Sequence, residues 1–202
     1  AHEDTNIISF TGGTQTGKAI SSVAAPMFKK ISLELGGKNA NVIFNDCDFE
    51  DAVKTSVRAA FANQGQICLC GSRIYVQQGI YENFKASFLE RVAGLTVADP
   101  LSEDSRMGAV VSKEHMNKIL SYIELAKEEG GKLLIGGHQV NLEGRCENGY
   151  FIAPTVFENL SSTCRTNQEE IFGPVVTLTP FETEQEALEL ANSTPYGLAA
   201  TI

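Results

Sequence analysis

The chain has 202 residues, 43% hydrophobic and 20% charged, which is enough apolar mass for a globular core. Sixteen basic against 25 acidic residues give a formal charge of −9, a balance that repels phosphate backbones and anionic lipid and argues against nucleic acid or a membrane surface as partner. No apolar run reaches bilayer length, the polar, acidic start has no leader pattern, and five irregularly spaced cysteines point to reduced thiols and no disulfide framework, so a cytoplasmic setting is expected.

Residues 7–11 are apolar and β-prone and predict a strand. Gly12-Gly13-Thr14-Gln15-Thr16-Gly17 follows at once, and residues 18–25 read as a helix stopped before Pro26. Residues 30–35 predict a second strand, ended by Gly36-Gly37, and residues 41–44 a third. Asp48 reads as an N-cap with acidic residues behind it, opening a helix to about Asn63. Residues 65–71 form a loop into a strand at 73–76. Residues 80–91 have helical spacing, with Ile80, Phe84, Phe88 and Val92 on one face. Ser112 caps a helix through Ile119, Ile123 and Ala126 to Gly130-Gly131. A short strand at 132–135 and a polar loop or irregular hairpin at 138–149 follow, with strands at 151–157 and 175–181. Thr183, with Glu186 three residues on, makes a capping box for a helix to about Asn192, and residues 199–202 begin a strand. Strands alternating with helices predict an α/β layered fold, and an end on a nascent strand reads as a truncation.

Four segments carry candidate chemistry. Cys68 stands in a glycine-containing loop after a helix, where a thiol could be exposed and reactive, but most lone cysteines are buried small hydrophobes and Cys70 is an equal candidate. Glu34 lies between leucines before two glycines; partial burial there would suit it to general-base work. Strand alternation alone, with Ile31, Leu33 and Leu35 on one face and Ser32 and Glu34 on the other, predicts a solvent-facing residue instead. The glycine turn at 12–17 could let backbone approach a diphosphate at a helix N-terminus, or be an ordinary strand-to-helix turn. Gly17-Lys18 is followed by Ala19, which places nothing to hold magnesium and disfavours NTP hydrolysis. In Glu169-Glu170-Ile171-Phe172-Gly173-Pro174 the Gly-Pro pair marks a turn, with a core-packed Phe as the default reading. No paired Cys or His at ligand spacing suggests a metal site.

Taken together, these segments resemble the aldehyde dehydrogenase superfamily over essentially the whole chain. Phe10-Thr11-Gly12-Gly13-Thr14-Gln15-Thr16-Gly17 looks like that family's cofactor turn, and Leu33-Glu34-Leu35-Gly36-Gly37-Lys38-Asn39-Ala40 like its glutamate motif. Residues 61–72 look like its cysteine motif, and Glu170-Ile171-Phe172-Gly173-Pro174 is similar to a further cofactor-contacting segment.

The resemblance implies that Cys68, following Gly65-Gln66-Ile67, is the nucleophile and Cys70 a non-catalytic neighbour. Glu34 takes the general-base role, Gly12, Gly13, Gly17 and Leu35 belong to the cofactor-binding segments, Glu170 meets the nicotinamide ribose, and Phe172 packs near the nicotinamide. Gly13 departs from the commoner serine, so a hydroxyl contact to the diphosphate is absent. The implied reaction is oxidation of a small-molecule aldehyde to a carboxylic acid with NAD, NADP remaining open, through a thiohemiacetal and a thioester on Cys68.

The cysteine segment with Tyr196-Gly197-Leu198-Ala199-Ala200-Thr201 is similar to muconic semialdehyde dehydrogenases. The implied fold is a partial one: residues 1–35 as the tail of the Rossmann-like cofactor domain and 36–202 as the front of the catalytic domain, from an enzyme that is a homodimer or homotetramer when whole. A truncated chain of this kind is expected to be inactive alone. A catalytically inactive structural relative, of the kind recruited as a lens crystallin, is the competing class, and the presence of both Cys68 and Glu34 favours the enzyme.

Overall fold

A computed structural model describes residues 2–202. The chain divides into two compact units, Ala1–Gly37 and Lys38–Ile202.

In the first unit, strands β1 (Ile7–Thr11) and β2 (Lys30–Glu34) pair in parallel, with Ile7 opposite Lys30 and Thr11 opposite Glu34. Helix α1 (Thr14–Ala24) connects them. It starts earlier than the residues 18–25 expected from sequence. Gly13, with extended backbone at φ −67° and ψ 144°, serves as its N-cap, and the Gly17 N–H closes on Gly13 O at 3.1 Å. The segment that reads as a glycine-rich loop is therefore the first helical turn. Pro26 falls inside a 3-10 turn, Ala25–Met27, that follows α1.

The second unit is built on a six-stranded sheet. Its strands are β3 (Ala40–Ile43), β4 (Arg73–Gln77), β5 (Lys132–Ile135), β8 (Thr155–Glu158), β9 (Val175–Phe181) and β10 (Ala200–Thr201). They lie in the order β10-β3-β4-β9-β8-β5, and every pair is parallel except β5 with β8. Helices α2 (Phe49–Phe61) and α3 (Tyr81–Ala93) bury Val53, Phe61, Phe84, Phe88 and Val92 against Ile74, Val76 and Leu178. On the alternate residues, Val42, Tyr75 and Phe181 pack with Ala187 of α6 (Glu184–Ala191). Both faces of the central strands are thus covered, which is why they read as near-continuous apolar runs. Helix α4 (Lys113–Glu128) buries Met116, Ile119, Ile123 and Ala126 against Ile152, Phe157 and Val175. Each fully buried Phe or Ile in these clusters contributes roughly 1.5–3 kcal/mol.

The caps follow the sequence. Asp48 accepts from Asp51 N–H at 3.1 Å, Ser112 from His115 N–H at 3.1 Å, and Thr183 from Glu186 N–H at 3.2 Å. In the last, Glu186 reaches back to Glu182 N–H at 2.8 Å, one residue short of the expected reciprocal bond. The strand expected over 151–157 is broken in two. Pro154 has no N–H for the ladder. Before it, β7 (Phe151–Ile152) pairs antiparallel with β6 (Gln139–Val140), forming the irregular hairpin; after it, β8 joins the main sheet. A short helix α5 (Arg165–Gln168) precedes the Glu170 segment.

Candidate active site

Within the first unit, Gly12 N–H donates to the Glu34 carbonyl at 3.0 Å, joining the glycine turn to the glutamate segment. A Cβ on Gly17 would stand 2.6 Å from Leu35 Cδ2, so glycine is what lets α1 lie against Leu35. A Cβ on Gly12 would meet the Phe10 ring at 2.5 Å. Around Gly13 no atom lies within 4 Å of a built Cβ, and α1 has no side-chain cap. Its first N–H groups are therefore not capped by a side chain at Gly13. Glu34 is exposed in this unit, on the face shared with Lys30 and Ser32, while Ile31 and Leu33 are half-buried opposite. The alternation reading holds, and the partial burial that would suit Glu34 to base chemistry is not present within the unit.

In the second unit, the chain leaves α2 at Ala62 and enters three successive left-handed residues, Asn63 (φ 49°), Gln64 (φ 56°) and Gly65 (φ 70°). Asn and Gly tolerate that region; Gln64 there stores local strain of the kind that clusters at working loops. A Cβ on Gly65 would stand 2.2 Å from the Gly173 carbonyl oxygen. The cysteine loop therefore rests on the Gly173-Pro174 turn, and two candidate segments distant in sequence meet. Asn63 Nδ2 donates to Gln66 O at 3.1 Å, and Gln66 Oε1 accepts from Val111 N–H at 3.0 Å. Cys70 N–H donates to Ile67 O at 3.0 Å and closes a turn around Cys68.

All five cysteines are free. Cys68 is partly exposed, whereas Cys70 is buried. Burial pushes the Cys70 thiol up, and Cys68 beside it adds to the shift. The two candidates that the sequence left equal are separated by solvent access.

Glu170 and Phe172 are both half-buried, and Phe172 holds a left-handed φ of 61°. Helix α4 braces their backbone: His115 Nε2 lies 2.6 Å from Phe172 O, and Lys118 Nζ donates to Glu170 O at 3.0 Å. Neighbouring Glu169 takes Arg165 at 2.7 and 3.1 Å and the Tyr122 hydroxyl, and Ile171 is buried in the α4 cluster. The default reading of Phe172 as a core residue is corrected: Ile171 enters the core and Phe172 stays at the edge.

Three residues received no role from the sequence. Lys38 is only 3% exposed, and its amine is pulled down to about 7 by burial first and then by the Arg73 charge. Arg73 is fully buried. Its Nε donates to Lys38 O at 2.8 Å, and its two terminal nitrogens donate to Leu190 O and Ala191 O at 2.8 Å, a cation at the C-terminus of α6. A charged residue placed directly before the apolar run Ile74-Tyr75-Val76 of β4 was the available signal. Asn39, 4% exposed, donates from Nδ2 to Cys68 O at 2.6 Å and to Cys70 O at 3.1 Å; no local pattern marks it.

Among the described residues, no helix is long and apolar enough to cross a membrane, and no group of three or more His, Cys, Asp or Glu side chains could hold a metal ion.

The sequence profile of the aldehyde dehydrogenase family matches residues 1–202. The chain is 46% identical over 201 residues to a 2-aminomuconic 6-semialdehyde dehydrogenase of Pseudomonas sp, an alignment covering 100% of this chain and 41% of that protein. It is 44% identical over 196 residues to 4-trimethylaminobutyraldehyde dehydrogenase A of Danio rerio, covering 96% of this chain and 39% of that one. Among solved structures, betaine aldehyde dehydrogenase from Staphylococcus aureus in complex with NAD+ superposes with a TM-score of 0.94 at 45% identity, over 99% of this chain and 39% of that one. The chain spans about two fifths of the length of these relatives.

Proposed function

This chain belongs to the aldehyde dehydrogenase family, and from that premise we propose that the protein carrying it oxidises an aldehyde to a carboxylic acid with NAD, using Cys68 as nucleophile and Glu34 as general base. The observation that carries the nucleophile assignment is the contrast in the cysteine loop: Cys68 is partly exposed on a turn locked against Gly173-Pro174, and Cys70 is buried with its thiol pushed up.

In this reading Cys68 Sγ, as thiolate, adds to the aldehyde carbonyl and forms a thiohemiacetal. Backbone N–H groups beside Cys68 help hold the oxyanion. When bound, the nicotinamide cofactor supplies the hydride acceptor. The Cys68 thioester is then opened by water, from which Glu34 removes a proton, giving the carboxylic acid, which ionises into solvent, and freeing the thiolate. The open N-terminus of α1 at Gly13, with Gly12 and Gly17 in the same turn, suits the cofactor diphosphate; Leu35, Glu170 and Phe172 are assigned to the cofactor by their motifs. NAD is favoured by the NAD+ in the Staphylococcus aureus betaine aldehyde dehydrogenase structure. Residues 1–35 are read as the tail of the cofactor domain and 36–202 as the front of the catalytic domain, two residues before the division between compact units at Gly37 and Lys38, in a homodimer or homotetramer.

A 2-aminomuconic-type semialdehyde is the first substrate to test, since relatives so named in Pseudomonas sp and Mus musculus are 46% and 45% identical. In the full-length protein, Cys68→Ser should abolish NADH formation while Cys70→Ser keeps it; turnover retained in Cys68→Ser sinks the assignment. Residues 1–202 alone, two fifths of a relative's length, should not turn over, and sustained NADH production by them would overturn that reading.

A further inference from the structure

Asn39 lies in the glutamate segment and directly precedes β3, yet its side chain donates into the cysteine loop. Its Nδ2 donates to the carbonyls of Cys68, at 2.6 Å, and Cys70, at 3.1 Å. Its Oδ1 accepts from Ala199 N–H at 3.2 Å, beside β10. One carboxamide therefore ties the loop to the chain that leads into β10.

The post itself is rigid. Arg73 N–H donates to Asn39 O at 3.3 Å, and Arg73 Nε to Lys38 O at 2.8 Å. Arg73 is in turn fixed by Leu190 O and Ala191 O of α6 at 2.8 Å. Asn39 is 4% exposed; its bond to Cys70 O is buried, and those with Cys68 O and Ala199 N–H are part-buried. Loop residues 67–70 take part in two backbone bonds, Cys70 N–H to Ile67 O and Ser72 N–H to Cys70 O, both at 3.0 Å, and neither involves the Cys68 carbonyl. A carbonyl held at Cys68 restrains the peptide plane that follows it, and so the backbone from which the side chain leaves the loop.

We propose that Asn39 is the positioning residue of the nucleophile, holding the Cys68 and Cys70 carbonyls so that Cys68 Sγ stands where it can attack; this rests on Cys68 being the nucleophile. Asn39 contacts the backbone of the loop, at the Cys68 and Cys70 carbonyls, and not the Cys68 thiol. Its effect is geometric, and a reacting group displaced by about 1 Å loses on the order of 100-fold in rate.

The test is made in the full-length enzyme with Asn39→Asp, near-isosteric but unable to donate when ionised, and Asn39→Ser, which keeps one short donor. Asn39→Asp should lower kcat by roughly 10–100-fold with little change in KM for NAD, and should slow iodoacetamide alkylation of Cys68, read by peptide mass mapping, in parallel. Its relative kcat should climb as pH falls and the new carboxyl protonates into a donor. Asn39→Ser should fall between it and the parent, and carries the test if Asn39→Asp does not fold. Parental kcat and parental Cys68 alkylation in either folded variant would overturn the proposal. So would lost urea stability with an unchanged alkylation rate, since that leaves Asn39 a stability role alone. If Cys68→Ser keeps turnover, the nucleophile reading fails separately, and alkylation of Cys68 still reports whether Asn39 orders the loop.

Discussion

Gly65 is where a single methyl group tests the architecture of the cysteine loop. It is the third consecutive residue at positive φ, after Asn63 and Gln64, with φ 70°. An alanine there pays roughly 1–2 kcal/mol for the left-handed backbone. Its Cβ would also stand 2.2 Å from Gly173 O, against an ordinary C···O contact of about 3.3 Å. One of two backbones has to retreat by ~1 Å, and overpacking of that kind costs ~1–3 kcal/mol. The sum is a loss of about 2–5 kcal/mol for Gly65→Ala. At a urea slope near 2 kcal/mol/M the midpoint should fall by ~1–2.5 M. Gly197→Ala is the control, with no atom within 4 Å of its Cβ, and should stay within about 0.5 kcal/mol of the parent. Circular dichroism followed through urea unfolding measures both. Equal midpoints for Gly65→Ala and Gly197→Ala would refute the contact between the cysteine loop and the Gly173-Pro174 turn.

Two further expectations concern pH. Lys38 sits at about 7 in the folded chain, below its ordinary 10.5, because burial disfavours the ammonium. Between those values the unfolded chain binds the extra proton, so stability contributed by this residue rises with pH from about 7 towards 10. Lys38→Met should remove that slope, its advantage over the parent being largest near pH 6 and shrinking as pH rises; a pH-independent difference in urea midpoints would count against the buried amine. Glu158 is buried between β8 and α3; burial pushes its carboxyl up, but hydrogen bonds from Lys132 at 2.8 Å and Lys85 at 3.0 Å hold it below the ordinary value. Its contribution is present above the usual glutamate range and lost as pH falls through the lowered value. Glu158→Gln should cost ~1–3 kcal/mol near pH 7, less than a fully buried pair because Lys132 is 63% exposed, and the difference should vanish in acid. A cost that persists unchanged at low pH would mean packing rather than charge holds this junction.

The amino-acid sequence by itself determined the periodic elements and the family. The faces of α3 and α4, the caps at Asp48, Ser112 and Thr183, and the strand Val175–Phe181 all follow from contacts no more than one or two turns apart, which local pattern can register. The family was legible because four motifs stand in order, even though none is specific alone. Helix α1 was misjudged at its start because a glycine read as a breaker is a position where Leu35 leaves no room for a side chain. The choice between Cys68 and Cys70 was legible only through the motif; its physical ground, burial of one and exposure of the other, belongs to the folded chain. Tertiary structure alone decided that Asn39 holds the carbonyls of Cys68 and Cys70, that Arg73 links Lys38 to the end of α6, and that Gly65 rests on Gly173. These partners lie far apart in the chain, and no local propensity can encode a contact that exists only once the sheet has brought its strands side by side.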